Sequence, residues 1–67
     1  LDNTTRLALQ AIVRGLHRGG AITRASVADI VVQLQRASAA RHVALDAKGA
    51  QELLSLADCI EIEAEEA

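Results

Sequence analysis

The sequence predicts an all-α fold, a small domain of three helices. Three observations carry that expectation. Apolar residues recur at three- and four-residue spacing through most of the chain. Side chains able to cap a helix stand ahead of each apolar run. No proline occurs in the 67 residues, and Gly19-Gly20 makes the first clear stop.

The first helix is expected over 4–18. Asp2 or Asn3 can accept a hydrogen bond from a free N–H of its first turn. Leu9, Ile12, Val13 and Leu16 share one face and are the expected core side. The second helix is expected to start near Ser26, where "SVAD" has the form of a capping box and Thr23 is the alternative cap. Val27, Ile30, Val31 and Leu34 would face inward, continued by Ala37 and Ser38. Val32 falls on the opposite side and marks a second contact surface.

Beyond Ala40 the helical phase breaks, because Val43 and Leu45 alternate. Residues 41–45 therefore read as an extended connection or a short strand. Asp46 is placed to cap a third helix over 47–58, with Ala50, Leu53, Leu54 and Ala57 inward. Gly49 weakens its first turn by about 1 kcal/mol. The closing "CIEIEAEEA" suits a C-terminal strand through alternating Ile60 and Ile62. It also suits further helix, as a short fourth one or an extension of the third, since Ile60 stays in phase with Leu53 and Ala57. Residues 61–67 form an acidic tail.

A shift of eighteen residues lays Thr5-Arg6 on Thr23-Arg24, Ile12-Val13 on Ile30-Val31 and Leu16 on Leu34. Most of this likeness follows from two amphipathic helices sharing one period, so a helical hairpin is the better description than a duplication. The outer faces differ. Arg6, Gln10, Arg14 and Arg18 step by four along the first helix with His17 beside them, a basic stripe that the second helix lacks. Ala8, Ala11 and Gly15 form a separate edge of small residues.

A chain this short sits near the lower limit for a self-sufficient core. Its single cysteine excludes an internal disulfide, and no Cys/His cluster suggests a metal site. There is no Phe, Tyr, Trp or Met, so burial falls to nineteen Leu, Ile and Val and to alanine. Each large aliphatic contributes roughly 1.5–3 kcal/mol when fully buried, against ordering costs of about 1.5 kcal/mol per residue. The balance is thin, and a partner or self-association is expected to supply the rest. With no methionine at position 1, a single domain over 1–67 is expected to be a processed chain, a fragment or a subunit of a larger assembly.

Charge divides along the chain. Six Arg against Asp2 and Asp29 give residues 1–42 a balance of +4, and Lys48 against seven acids gives residues 43–67 a balance of −6. The acidic tail can fold back on the Arg stripe and compete with any phosphate there. No apolar run reaches a membrane span and no leader pattern is present. One cysteine points to a reducing, cytoplasmic setting.

Chemistry finds little support. Cys59 with His42 and an aspartate makes a triad only on paper, since nothing in their spacing places a base beside the thiol. Gly19-Gly20 lacks a phosphate-loop context and reads as a helix stop. No catalytic, cofactor or metal residues are assigned, and the chain is not expected to be an enzyme. The favoured function is a non-catalytic helical protein–protein interaction module, self-associating or docking on a partner chain. Ala8, Ala11, Gly15 and Val32 would make the contact, and Arg14 and Arg18 would meet carboxylates of a partner. The alternative is a nucleic-acid-binding or transcription-accessory domain with Arg6, Arg14, Arg18 and Arg24 on phosphate. Against it, no aromatic offers a stacking platform.

Overall fold

Three side chains start the three helices. Asp2 Oδ1 accepts the Thr5 N–H at 2.6 Å, Thr23 Oγ1 that of Ser26 at 3.1 Å, and Asp46 Oδ1 that of Gly49 at 3.0 Å. The computed structural model describes residues 2–66 and contains α1 (Asn3–Arg18), α2 (Arg24–Val43) and α3 (Ala47–Glu66). The fold is all-α, with no strand among the described residues. Thr23, not Ser26, caps α2, because Thr23 holds the extended backbone that a cap requires (φ −90°, ψ 169°) while Ser26 already lies in the helix. Gly49 is part of the third cap. A Cβ there would collide with the Asp46 carboxylate and push it from its capping position.

Both connections close in the same way. Ala21 N–H reaches Leu16 C=O at 3.0 Å and Gly20 N–H reaches His17 C=O at 3.2 Å. After α2, Asp46 N–H reaches Arg41 C=O at 2.8 Å and Leu45 N–H reaches His42 C=O at 3.0 Å. These are paired helix stops that need one left-handed residue. Gly20 (φ 80°) meets that need freely, whereas Leu45 (φ 63°) meets it with a Cβ.

Two strand expectations are corrected. Residues 41–43 continue α2, and the alternating Val43 and Leu45 are both exposed at the tip of the turn. Residues 59–63 continue α3, with Ile60 buried in phase with Ala57. A strand at 59–63 had only 41–45 to pair with, and two short strands hold poorly alone. The acidic tail is thus helical through residue 66, and Ala67 lies outside the described residues.

The helices run up, down and up. Ser38 Oγ, buried near the end of α2, donates to Ala50 C=O at 2.7 Å near the start of α3. Val27 at the other end of α2 packs with Ile60. The core cluster is Val27, Val31, Leu56, Ala57 and Ile60, with Val13, Ile22, Ile30, Leu34 and Ala64 half-buried around it. Leu53 is half-buried, while Leu54 and Ala37, both expected inward, are exposed. Leu56 replaces Leu54 as the large buried side chain of α3, because it lies between Leu53 and Ile60 at helical spacing.

Helix α1 brings the largest correction. Leu9, Ile12 and Leu16, expected in the core, are 39%, 58% and 43% exposed, and Val13 alone of that group reaches the cluster. The buried residue of α1 is Gln10. At about 100° per residue, the face turned inward by Gln10, Val13 and His17 lies roughly a quarter turn from the Leu9–Ile12–Leu16 stripe.

The left-handed Leu45 offers a direct check on this backbone. Leu45→Gly is expected to raise the unfolding free energy by about 0.5–1 kcal/mol, since it removes a Cβ clash and no packed side chain. Urea unfolding showing no gain, or a loss, would mean that the turn has another conformation.

Candidate functional site

Helix α1 docks on α3 through a carboxylate. Gln10 Nε2 donates to Glu63 Oε1 at 3.0 Å. Arg14 Nε donates to Glu63 Oε2 at 3.0 Å, and Arg14 Nη2 lies 2.9 Å from Oε1. The guanidinium fork and the amide together fill both oxygens of one acid, 49 and 53 residues away in sequence. Hydrogen bonding from Arg14 holds the Glu63 carboxyl below the usual glutamate range. Burial opposes this, and the Arg14 charge, the Gln10 amide and the Arg18 charge add to the lowering.

The basic stripe is therefore the docking face of α1. Arg6 donates to Asn3 Oδ1 at 2.6 Å within its own first turn. Arg14 meets Glu63 of its own chain, and Arg18 lines the same seam beside His17. The space left in that seam is about 10 Å³, hardly room for one water. Ala8, Ala11 and Gly15 are exposed, and nothing lies within 4 Å of a Cβ built at Gly15. That small edge points away from α3. Between it and the seam lies the exposed apolar stripe of Leu9, Ile12 and Leu16.

The other side of the molecule carries grooves between α2 and α3. One, with a volume of about 450 Å³, has Val27, Ala28, Val31, Val32 and Ala64 as its apolar lining and Arg24, Gln35, Glu61 and Glu65 at its margins. The second, of about 550 Å³, continues from Gln35 along Ala39, Val43, Ala47, Ala50 and Leu54. Val32, singled out by its place opposite the α2 core face, thus lines a groove. Arg24 stands across this groove from Glu61 and Glu65, and Glu63 is on the opposite side of α3, since residues two apart differ by about 160–200°. The four arginines do not form one surface.

No family model, curated protein or solved structure matches this chain.

The residues considered for chemistry stay apart. His42 ends α2 beside the start of α3, and Cys59 lies twelve residues along α3, about 18 Å lower at 1.5 Å per residue. Cys59 is half-buried and carries no disulfide. Among the described residues, no group of three His, Cys, Asp or Glu is placed to hold a metal ion, and no helix is long and apolar enough to cross a membrane. Sequence reasoning missed Glu63 and Gln10 as partners. The only available signal was the charge division itself, with an acidic tail able to fold back on the stripe.

Glu63 makes the fold acid-sensitive with a definite sign. Its folded pKa lies below the unfolded value near 4.3, so its stabilisation is complete above that value and is lost as pH falls through the folded one. Asp2 at the α1 cap is lowered by the Thr5 N–H and acts in the same sense. Glu63→Gln is expected to lower stability at pH 7 and to flatten the loss between about pH 5 and pH 2. Thermal unfolding midpoints across that range read both effects. An equally steep loss in Glu63→Gln would remove Glu63 from this role.

Proposed function

We propose that this chain is a non-catalytic helical interaction module, whose apolar helix faces hold protein chains together. The single observation that carries this reading is the exposed stripe Leu9–Ile12–Leu16, on a helix that docks through Gln10 and Arg14 instead. Side chains of this kind stabilise by roughly 1.5–3 kcal/mol each when fully buried, and a substantial part of that is left unrealised where they remain 39%, 58% and 43% exposed. The described surface is also large. It measures 4517 Å², against about 4,100 Å² for a compact monomer of this mass. Aliphatic stripes spaced along a helix are the usual means by which one helix seats against another.

The nucleic-acid alternative draws on Arg6, Arg14, Arg18 and Arg24. Arg14 and Arg6 are engaged within the chain, Glu63 sits beneath Arg14 and Arg18, and Arg24 faces Glu61 and Glu65. A phosphate arriving at either place meets a carboxylate first. For an enzymatic reading the seam between α1 and α3 offers about 10 Å³, and the two larger spaces described among these residues are open grooves, whereas ligand pockets close over most of their ligand.

Two measurements test the proposal. The triple change Leu9→Ser, Ile12→Ser and Leu16→Ser is expected to lower the unfolding free energy of the dilute chain by only about 1–3 kcal/mol in total, because the three side chains lie outside the core cluster and are 39%, 58% and 43% exposed. The same change in a core would cost several times more. Titration of labelled duplex DNA at low and moderate salt is expected to show no binding. Steeply salt-dependent binding, lost in Arg18→Ala with Arg24→Ala, would overturn the module in favour of a phosphate-binding domain.

A further inference from the structure

We infer that the α2–α3 face seats a second copy of this chain, paired about a two-fold axis parallel to the helices. The inference rests on the reading of the chain as an interaction module and names one partner and one surface for it.

Charge is the first argument. Arg24, at the start of α2, is level with Glu61 and Glu65 near the end of α3, since all three line one groove. A two-fold axis parallel to the helices, lying between two such faces, sets each α2 against the α3 of the other copy and keeps every residue at its own height. Arg24 of each copy then meets Glu61 and Glu65 of the other, twice over. The pairing is self-complementary, as a two-fold interface must be. Adjacent helices are antiparallel throughout, the arrangement of a four-helix bundle. Asp29 and Asp58 line neither groove.

The helix dipoles point to the same pairing. Arg24 is the first residue of α2, and Glu65 stands in the last turn of α3, where no basic residue occurs. Each charge has the same sign as the partial charge of its helix end, which is unfavourable. Among the described residues, no ion pair within the chain offsets this for Arg24, Glu61 or Glu65. Helix stability alone favours the reverse signs at these sites. An opposing row of charge on a second copy supplies the missing partners.

Shape is the third. The apolar lining of the two grooves is mostly alanine and valine, with Leu54 at one end, which lets the helix axes of a second copy approach to about 8–10 Å. Two helices about 30 Å long and 10 Å apart present roughly 600 Å², the low end of the range for a standard interface, about 800 Å² per partner. An interface of this size with this lining is expected in the micromolar range, about 1–100 μM.

Sedimentation equilibrium on the whole chain tests the inference with a charge exchange. Arg24→Glu, and separately Glu61→Lys with Glu65→Lys, are each expected to weaken the dimer at least about tenfold. A one-to-one mixture of the two variants is expected to regain the dimer mass, since both contact rows then join opposite charges. These changes suit the helix dipoles, so circular dichroism should show full helicity in each. Val32→Glu, exposed in the groove, serves as a second variant and is expected to dissociate the dimer as well. A wild-type chain that stays monomeric across the concentration range overturns the inference. So does a dimer indifferent to these changes but abolished by Ile12→Glu. That last result places the seat on α1 and leaves the module reading standing, whereas its own failure appears as salt-sensitive DNA binding.

Discussion

The rotation of α1 about its own axis depends on one carboxylate. Glu63 stands on the side of α3 that faces α1, and it needs donors there, because a half-buried acid without them is costly. Gln10 and Arg14 supply three contacts to its two oxygens. Once those side chains point at α3, helical geometry fixes the rest of α1. Val13 falls on the core cluster, Leu9 and Leu16 turn outward, and Ile12 turns further still. A purely hydrophobic account would rotate α1 the other way and leave Glu63 with nothing to bind.

The remaining stability rests on the α2–α3 hairpin. Its seam sets Val27, Val31 and Leu34 of α2 against Leu56, Ala57, Ile60 and Ala64 of α3, large aliphatic side chains with alanines set among them. Ser38 reaches across to the Ala50 carbonyl and satisfies its own hydroxyl within that seam. Alanine at positions 50, 57 and 64 is what lets the helices approach closely, and it also limits how much apolar surface each contact removes from water. A chain with no aromatic residue gains close packing in this way at the expense of buried area.

The legible parts of the fold were those governed by local rules. Capping by Asp2 and Asp46, the stop at Gly19-Gly20 and the inward face of α2 follow from the chain within a few residues of each site. Two things were not legible. Val43 and Leu45 in one stretch, and Ile60 and Ile62 in the other, stand two residues apart as in a strand, yet Val43, Leu45 and Ile62 are exposed and Ile60 alone is buried. The orientation of α1 was hidden for a different reason. Amphipathicity says which residues share a face, but not which face a distant carboxylate will attract. The acid that decides it lies 49 residues from Arg14 and sits in a run of glutamates where nothing local distinguishes Glu63 from Glu61 or Glu65.

That run has a simple logic once α3 is in place. Residues two apart on a helix fall on nearly opposite sides, so Glu63 meets α1 while Glu61 and Glu65 turn toward the groove beside Arg24. One acidic segment thus serves two surfaces of different kind. On the α1 side the acid is matched within the chain, by donors that reach both of its oxygens. On the groove side Arg24 and Glu65 occupy helix ends of the wrong polarity, and among the described residues no ion pair within the chain meets them. Surplus charge arranged so regularly beside an apolar groove is the feature on which the proposed pairing with a second copy rests.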